Sequence, residues 1–142
     1  MRSLGLDVGE RRIGVALSDP EGIIATPFGM VPVSGDGPES DIARILELVR
    51  DHEAGTIVVG LPLSMDGTLG PQARRVQAFV DELSARSPVP VEVWDERLST
   101  VVSQRLMRDA GTKKRRRQER RDAAAAAVIL QGFLDRVRAS RS

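Results

Sequence analysis

Apolar and polar positions alternate with period two over residues 3–8, Ser-Leu-Gly-Leu-Asp-Val, and again over 13–18, Ile-Gly-Val-Ala-Leu-Ser. Such alternation predicts two strands with one face toward a core. Gly9-Glu10-Arg11-Arg12 between them has the length of a hairpin turn. Leu4, Leu6 and Val8 with Ile13, Val15 and Leu17 make a bulky face, whereas Gly5, Asp7 and Gly9 with Gly14, Ala16 and Ser18 make a bare one. A face without bulk lets a backbone, a helix or a ligand come close. Residues 23–33 predict a third strand, placed near a sheet edge because Pro27 and Pro32 cannot donate to a ladder.

The period turns helical after the loop Gly35-Asp36-Gly37-Pro38. Ser40 is the expected cap of a helix over about 41–53, with Ile42, Ile45, Leu46 and Val49 on its inner side. Thr56-Ile-Val-Val-Gly60 reads as a buried parallel strand. After a loop over 61–70, Pro71 suits the first turn of a helix whose stripe is Ala73, Val76, Val80 and Leu83. Residues 89–94, Val-Pro-Val-Glu-Val-Trp, predict the last strand. Ser99 or Thr100 caps a helix to about Asp109 that Gly111 stops. A final helix over about 118–138 carries Asp122, Ala126, Ile129, Phe133 and Val137 on one face. The order β-β-β-α-β-α-β-α-α predicts an α/β fold with a mixed sheet covered on both faces.

Composition narrows the chemistry. At 142 residues one domain over 1–142 is expected, burying roughly 68–70% of the unfolded surface. The absence of cysteine excludes disulfides, thiolate metal sites and thiol nucleophiles, and fits a cytoplasmic protein. His52 is the one histidine, so no histidine cluster can form. No leader-like apolar segment opens the chain, and no run reaches the ~18 apolar residues that span a membrane. Carboxylates, hydroxyls, arginine and lysine must carry the function.

The formal charge of +1 hides a division. Residues 1–96 carry eight basic and sixteen acidic side chains, a balance of −8; residues 97–121 carry ten and two, a balance of +8. The centre is Lys113-Lys114-Arg115-Arg116-Arg117, followed by Arg120 and Arg121. Arginine is the better geometric match for phosphate. Such a run reads either as a solvated helix start or as a contact for a polyanion, most simply a nucleic-acid backbone.

Three elements each bring a carboxylate to the bare side or the rim of the sheet: Asp7 inside the first strand, Asp95 and Glu96 at the end of the last, and Asp122 on the final helix. Strand ends are where open α/β sheets bind ligands. Converging carboxylates repel unless a cation lies between them, and the cation suited to an oxygen-only set is Mg²⁺ or Mn²⁺. Two such ions would activate water against a phosphodiester. The competing structural readings have Asp7 accepting from the turn at Gly9, Asp95 or Glu96 pairing with Arg97, and Asp122 favoured by a helix dipole. The 61–70 loop reads as an ordinary strand-to-helix connection or as a phosphate contact at a helix start.

Leu4-Gly-Leu-Asp7-Val-Gly9, Arg12-Ile-Gly14-Val-Ala16, the 60–68 stretch Gly-Leu-Pro-Leu-Ser-Met-Asp-Gly-Thr, Asp95-Glu-Arg-Leu-Ser-Thr100 and the run from Asp122 to Leu134 together resemble the bacterial YqgF (RuvX) family. Its members are described as pre-16S rRNA nucleases and Holliday-junction-resolvase-like proteins. The resemblance spans essentially the whole chain. It implies a ribonuclease H-like fold, a five-stranded mixed sheet of order 3-2-1-4-5 whose first three strands are antiparallel. It also implies a metal-dependent endonuclease maturing the 5′ end of precursor 16S rRNA, with Asp7, Glu96 and Asp122 as catalytic metal ligands and Asp95 the less favoured choice. Arg12, Ser64, Thr68, Arg97, Ser99, Thr100, Lys113, Lys114, Arg115, Arg116, Arg117, Arg120 and Arg121 are the expected nucleic-acid contacts. Two departures stand out: Arg121 where the family often has an apolar residue, and Ser64 where it often has asparagine. The expected partner is structured RNA, with branched DNA as the alternative substrate, bound without a membrane by a monomer, with a dimer as the alternative. The rival readings are a Holliday junction resolvase, a phosphotransferase of the actin and sugar-kinase type, and a non-catalytic RNA-binding assembly factor.

Overall fold

The computed structural model describes residues 1–98 and 114–141, with the side chains of 114–117 left aside. The strands are β1 (Arg2–Val8), β2 (Arg12–Ser18), β3 (Ala25–Pro32), β4 (Ala54–Leu61) and β5 (Val91–Asp95). The helices are α1 (Pro38–Asp51), α2 (Pro71–Arg86) and α3 (Lys114–Ser140), with a short 3₁₀ turn at Glu96–Leu98. The sheet runs β3-β2-β1-β4-β5, with β1 antiparallel to β2, β2 antiparallel to β3, and β1-β4 and β4-β5 parallel. This is the expected ribonuclease H-like sheet, with the proline-bearing β3 at its edge. The expected helix over 99–109 and its stop at Gly111 lie outside the described residues.

Alternation along the strands sorts the two layers. Leu4 and Leu6 of β1, Ile13 and Val15 of β2, and Ile57 and Val59 of β4 pack with Ile42, Ile45 and Val49 of α1 and with Val76, Val80 and Leu83 of α2. The intervening positions meet α3: Ala16 and Val58 pack with Ala126, Ile129, Leu130 and Leu134. Glycines let α3 settle onto the strands. A Cβ on Gly5 would lie 2.7 Å from the Leu130 Cβ, and one on Gly14 would run into the backbone carbonyl of Asp122. Gln131 pins the helix laterally, accepting the Ala25 N–H at 2.8 Å and donating to the Ile23 carbonyl at 2.8 Å.

Three boundaries differ from expectation. Helix α1 starts at Pro38 with Gly37 as its cap residue, at φ 102°. Ser40 therefore sits inside the first turn, its hydroxyl paired with that of Ser34 at 2.8 Å; proline, whose missing N–H costs nothing there, sets the start. Strand β5 begins at Val91, because Ser87 holds Val89 in a tight turn through its hydroxyl. Helix α3 begins at Lys114, four residues early, and its buried stripe centres on Ala126, Ile129, Leu130 and Leu134, with Phe133 and Val137 only half-buried.

Candidate active site

Asp7 sits near the carboxyl end of β1 on the α3 face, opposite Gly14 of β2. On its other side, Leu6 pairs with Val59, so Gly60 occupies the next step along β4. Each flanking glycine admits one further acid. The α3 backbone at Asp122 lies directly over Gly14, and the Glu96 Cγ would be 2.9 Å from a Cβ on Gly60. Gly60 pairs with Trp94, and Glu96 follows two residues after it, where β5 ends and the 3₁₀ turn begins. Trp94 itself packs against Gly132 of α3.

The electrostatics register this convergence. Burial, with the Asp122 charge second, raises the Asp7 carboxyl from 3.8 to about 6. Burial first, then the charges of Asp7 and Asp95, raises Glu96 from 4.5 to about 7. Low dielectric and like charge both disfavour the ionised forms. The turn does not relieve Asp7, because the Gly9 N–H donates to the Arg12 carbonyl at 2.9 Å. Asp122 has its own counter-ion: Arg12 Nε donates to its Oδ2 at 2.6 Å, with both side chains mostly shielded from solvent. Since α3 starts eight residues before Asp122, the helix dipole, which fades within one turn, does not explain its placement.

Asp95 faces elsewhere. The Arg97 guanidinium grips it from Nη2 at 2.6 Å and from Nε at 3.0 Å, and the Arg97 backbone N–H adds a bond at 3.0 Å. These bonds hold the Asp95 carboxyl below the usual range. Arg97 Nη1 also donates to the Met65 carbonyl at 3.1 Å, which ties the 61–70 loop to the end of β5. That loop is a closed turn. Gly67, at φ 86°, donates to the Ser64 carbonyl at 2.8 Å, and the Thr68 hydroxyl donates to Asp66 at 2.7 Å. Asp66 thus serves the turn, with Thr68 holding its carboxyl low.

The structure brings Asp7, Glu96, Asp122 and Arg12 together, with Arg97 and the Ser64–Thr68 turn beside them. Arg120 is exposed on α3, one residue-pair before Asp122. Arg121 is half-buried, and its Nε is enclosed without a hydrogen-bond partner. Ser99, Thr100 and Lys113, and the side chains of Lys114, Arg115, Arg116 and Arg117, lie outside the described residues. Sequence reasoning missed the Arg12–Asp122 pair and the role of Gly60. A glycine ending an otherwise apolar strand was the available signal for the second; the first joins residues 110 apart and left none.

Oxygen-only donors are the right chemistry for Mg²⁺ or Mn²⁺. Asp7 and Glu96, two carboxylates raised by burial and like charge, have the donor chemistry for such a cation. Among the described residues no three acidic or histidine side chains are already drawn into a coordination shell. One oxygen of Asp122 is held by Arg12.

Comparison with known proteins supplies the lineage. The family model for RuvX, Holliday junction resolvase, matches residues 1–136. A protein of Chloroflexus aggregans named "Putative pre-16S rRNA nuclease" is 49% identical over 135 residues, covering 95% of this chain and 94% of its own. One of the same name from Pelotomaculum thermopropionicum is 47% identical over 135 residues, covering 95% and 87%. In fold, the chain is similar to T. thermophilus RuvC in complex with a Holliday junction substrate, with a TM-score of 0.60 and 18% identity over 96% of each chain. With the motifs, the sheet order and a match over nearly its whole length in agreement, the chain belongs to the RuvX family.

Proposed function

We propose that this chain is a divalent-metal-dependent endonuclease that hydrolyses phosphodiester bonds in precursor 16S rRNA, acting in the cytoplasm. The observation that carries the reading is the placement of Asp7 and Glu96 across Gly60. Both are held near neutral pKa values by burial and repulsion. When bound, a divalent cation supplies Lewis-acid activation of water and stabilisation of the leaving oxygen. Asp7 and Glu96 would hold it, and Asp122 would join once Arg12 lets go. Arg12 would then offer its planar fork to two phosphate oxygens of the substrate. The Arg97-anchored turn at Ser64–Thr68 walls one side of the site.

The basic start of α3 supports a polyanionic substrate. No acidic residue lies in its first turn, and cations at a helix N-terminus oppose the dipole. A phosphate backbone reverses that disadvantage, and the 113–121 run would bind it without reading sequence.

The test is cleavage of a small-subunit rRNA precursor by the wild type and by Asp7→Asn, with Mg²⁺ or Mn²⁺ and with EDTA. Metal-dependent cutting that the variant loses supports the reading. Cutting of a four-way DNA junction with the RNA left intact would replace it with resolvase activity, the activity in the family's name. Tight, salt-sensitive RNA binding with no cutting of either would leave an assembly factor.

A further inference from the structure

Across the sheet from the acids, the carboxyl end of β1 meets α1 and α2 around a cavity of about 400 Å³. Val8, Ile13, Val33 and Phe79 make its walls apolar. One carboxylate is buried in that wall: Asp41 is 3% exposed. Its Oδ1 accepts the Ser34 N–H at 3.0 Å, and no other described residue donates to its side chain. The first bond fastens the 34–37 loop to α1. The second oxygen keeps its acceptor capacity and is not sealed away, so it is open to a donor entering the hollow. Glu82 lines the same cavity, and Glu10 lines it with its carboxylate taken by Arg75 at 2.8 Å.

This lining selects a ligand chemistry. Ionised carboxylates only accept hydrogen bonds, and the excess negative charge repels phosphate. The fitting occupant is a neutral, flat, largely apolar body with neighbouring donors on one edge, and the volume suits a small organic group. Guanine presents N1–H and the 2-amino group side by side, whereas adenine and cytosine each present one amino group. Enzymes that act on unstacked bases read them in this way, by their Watson–Crick edge between apolar walls.

We propose that this cavity is a guanine-recognition pocket, with Asp41 accepting from the Watson–Crick edge of one base of the nucleic acid cut on the far side of the β1–β2 turn. The turn is the shared wall. Gly9 and Glu10 line the cavity, and Arg12, at the other end of the same turn, holds Asp122. A strand crossing the turn would place a phosphate at the acids and a nearby base in the hollow. The placement of the cut rests on the nuclease reading; the pocket's preference for guanine does not.

Titration of the metal-free protein with guanosine, followed by methyl and amide NMR, tests the pocket without any cleavage. The expected result is saturable shifts at Val8, Ile13 and Val33, with adenosine and cytidine weaker by about tenfold or more. Asp41→Asn keeps a carbonyl for the Ser34 N–H and turns the other position into a donor, so the guanosine preference disappears. Ala78→Trp, at an exposed lining position, blocks binding without entering the core. A single-stranded RNA with one guanosine, compared with its inosine counterpart lacking the 2-amino group, identifies the source. Weaker inosine binding assigns the pocket to the substrate, and equal binding of both RNAs beside tight guanosine binding assigns it to a free guanine compound. No shifts up to millimolar guanosine overturn the proposal. Shifts produced equally by agmatine overturn it too, since they would make the hollow a cation site. Loss of cleavage in the rRNA assay leaves the guanosine result standing, so the two readings fail separately.

Discussion

Adjacent residues on the same strands do opposite work on the two faces of this sheet. Toward α1 and α2, the strands send out Leu4, Leu6, Ile13, Val15, Ile57 and Val59, each no more than 1% exposed. Toward α3 they send out Gly5, Asp7, Gly14, Ala16 and Gly60, and the helix backbone itself comes down onto the glycines. The first face interdigitates side chains and holds the fold together. The second gives up that bulk so that acids from three separate elements can reach one another. Moving one position along β1 therefore exchanges a core side chain for an acid of the candidate site.

Leu6 and Asp7 test the contrast most directly. Asp7→Asn is expected to lower cleavage of precursor rRNA by more than about 100-fold, beyond the usual cost of disturbing a metal site's outer shell. The same variant should melt higher than the wild type at pH 8 without metal, because it removes an ionised carboxylate from a site that disfavours it. Leu6→Ala should do the reverse. It should lose about 2–5 kcal/mol of stability, read by urea titration, while cleavage per folded molecule stays near the wild-type rate.

The pH dependence follows from the same acids, and its sign differs from that of an ordinary salt-bridged carboxylate. Asp7 at about 6 and Glu96 at about 7 lie above their unfolded values. Their neutral forms are the ones the fold accepts, so their contribution is intact below about pH 4 and is lost as pH rises through 6 to 7. For Asp7 alone the loss is of order 3 kcal/mol. Calorimetry of the metal-free protein should show the melting temperature falling across this window. Mn²⁺ should restore it at pH 8, and Asp7→Asn should make the fall shallower, leaving the part due to Glu96.

Gly14→Ala sharpens the comparison from the other side. The added methyl meets the Asp122 backbone carbonyl rather than a side chain that can turn away. The expected cost is about 1–3 kcal/mol, with an additional loss of cleavage per folded molecule because α3 and Asp122 must move off the site. A drop in stability with full activity would show that the close approach of α3 serves packing alone.

The bulky face was plain in the sequence because it obeys simple periods. The α2 stripe of Ala73, Val76, Val80 and Leu83 is buried as read, and so are Ile42, Ile45 and Val49 of α1. The bare face was legible as bareness around Asp7, and motif resemblance added the identity of the acids. What lay on it was less visible. Gly60 had to be read as room for Glu96, which requires knowing that the Glu96 side chain turns back over β4. The Arg12–Asp122 pair depends on a contact between segments 110 residues apart. The start of α3 at Lys114 was obscured by the charge run itself, since repelling cations at a helix N-terminus give no periodic signal and no cap.

The smallest effect expected separates Asp95 from Glu96, neighbours at the point where β5 ends. Glu96 leans over Gly60 toward Asp7, whereas Asp95 turns to Arg97 and, through it, to the Met65 carbonyl. If Asp95 only anchors the loop, Asp95→Asn should cost less than about 1 kcal/mol, as for partly exposed ion pairs, and slow cleavage by a few-fold. The slowing should appear as a raised KM, because a looser 61–70 turn weakens substrate contact and leaves the metal donors in place. A loss in kcat as deep as that of Glu96→Gln would instead make Asp95 a ligand in its own right. In that case the grip of Arg97 on Asp95, like that of Arg12 on Asp122, would have to open before the site could act.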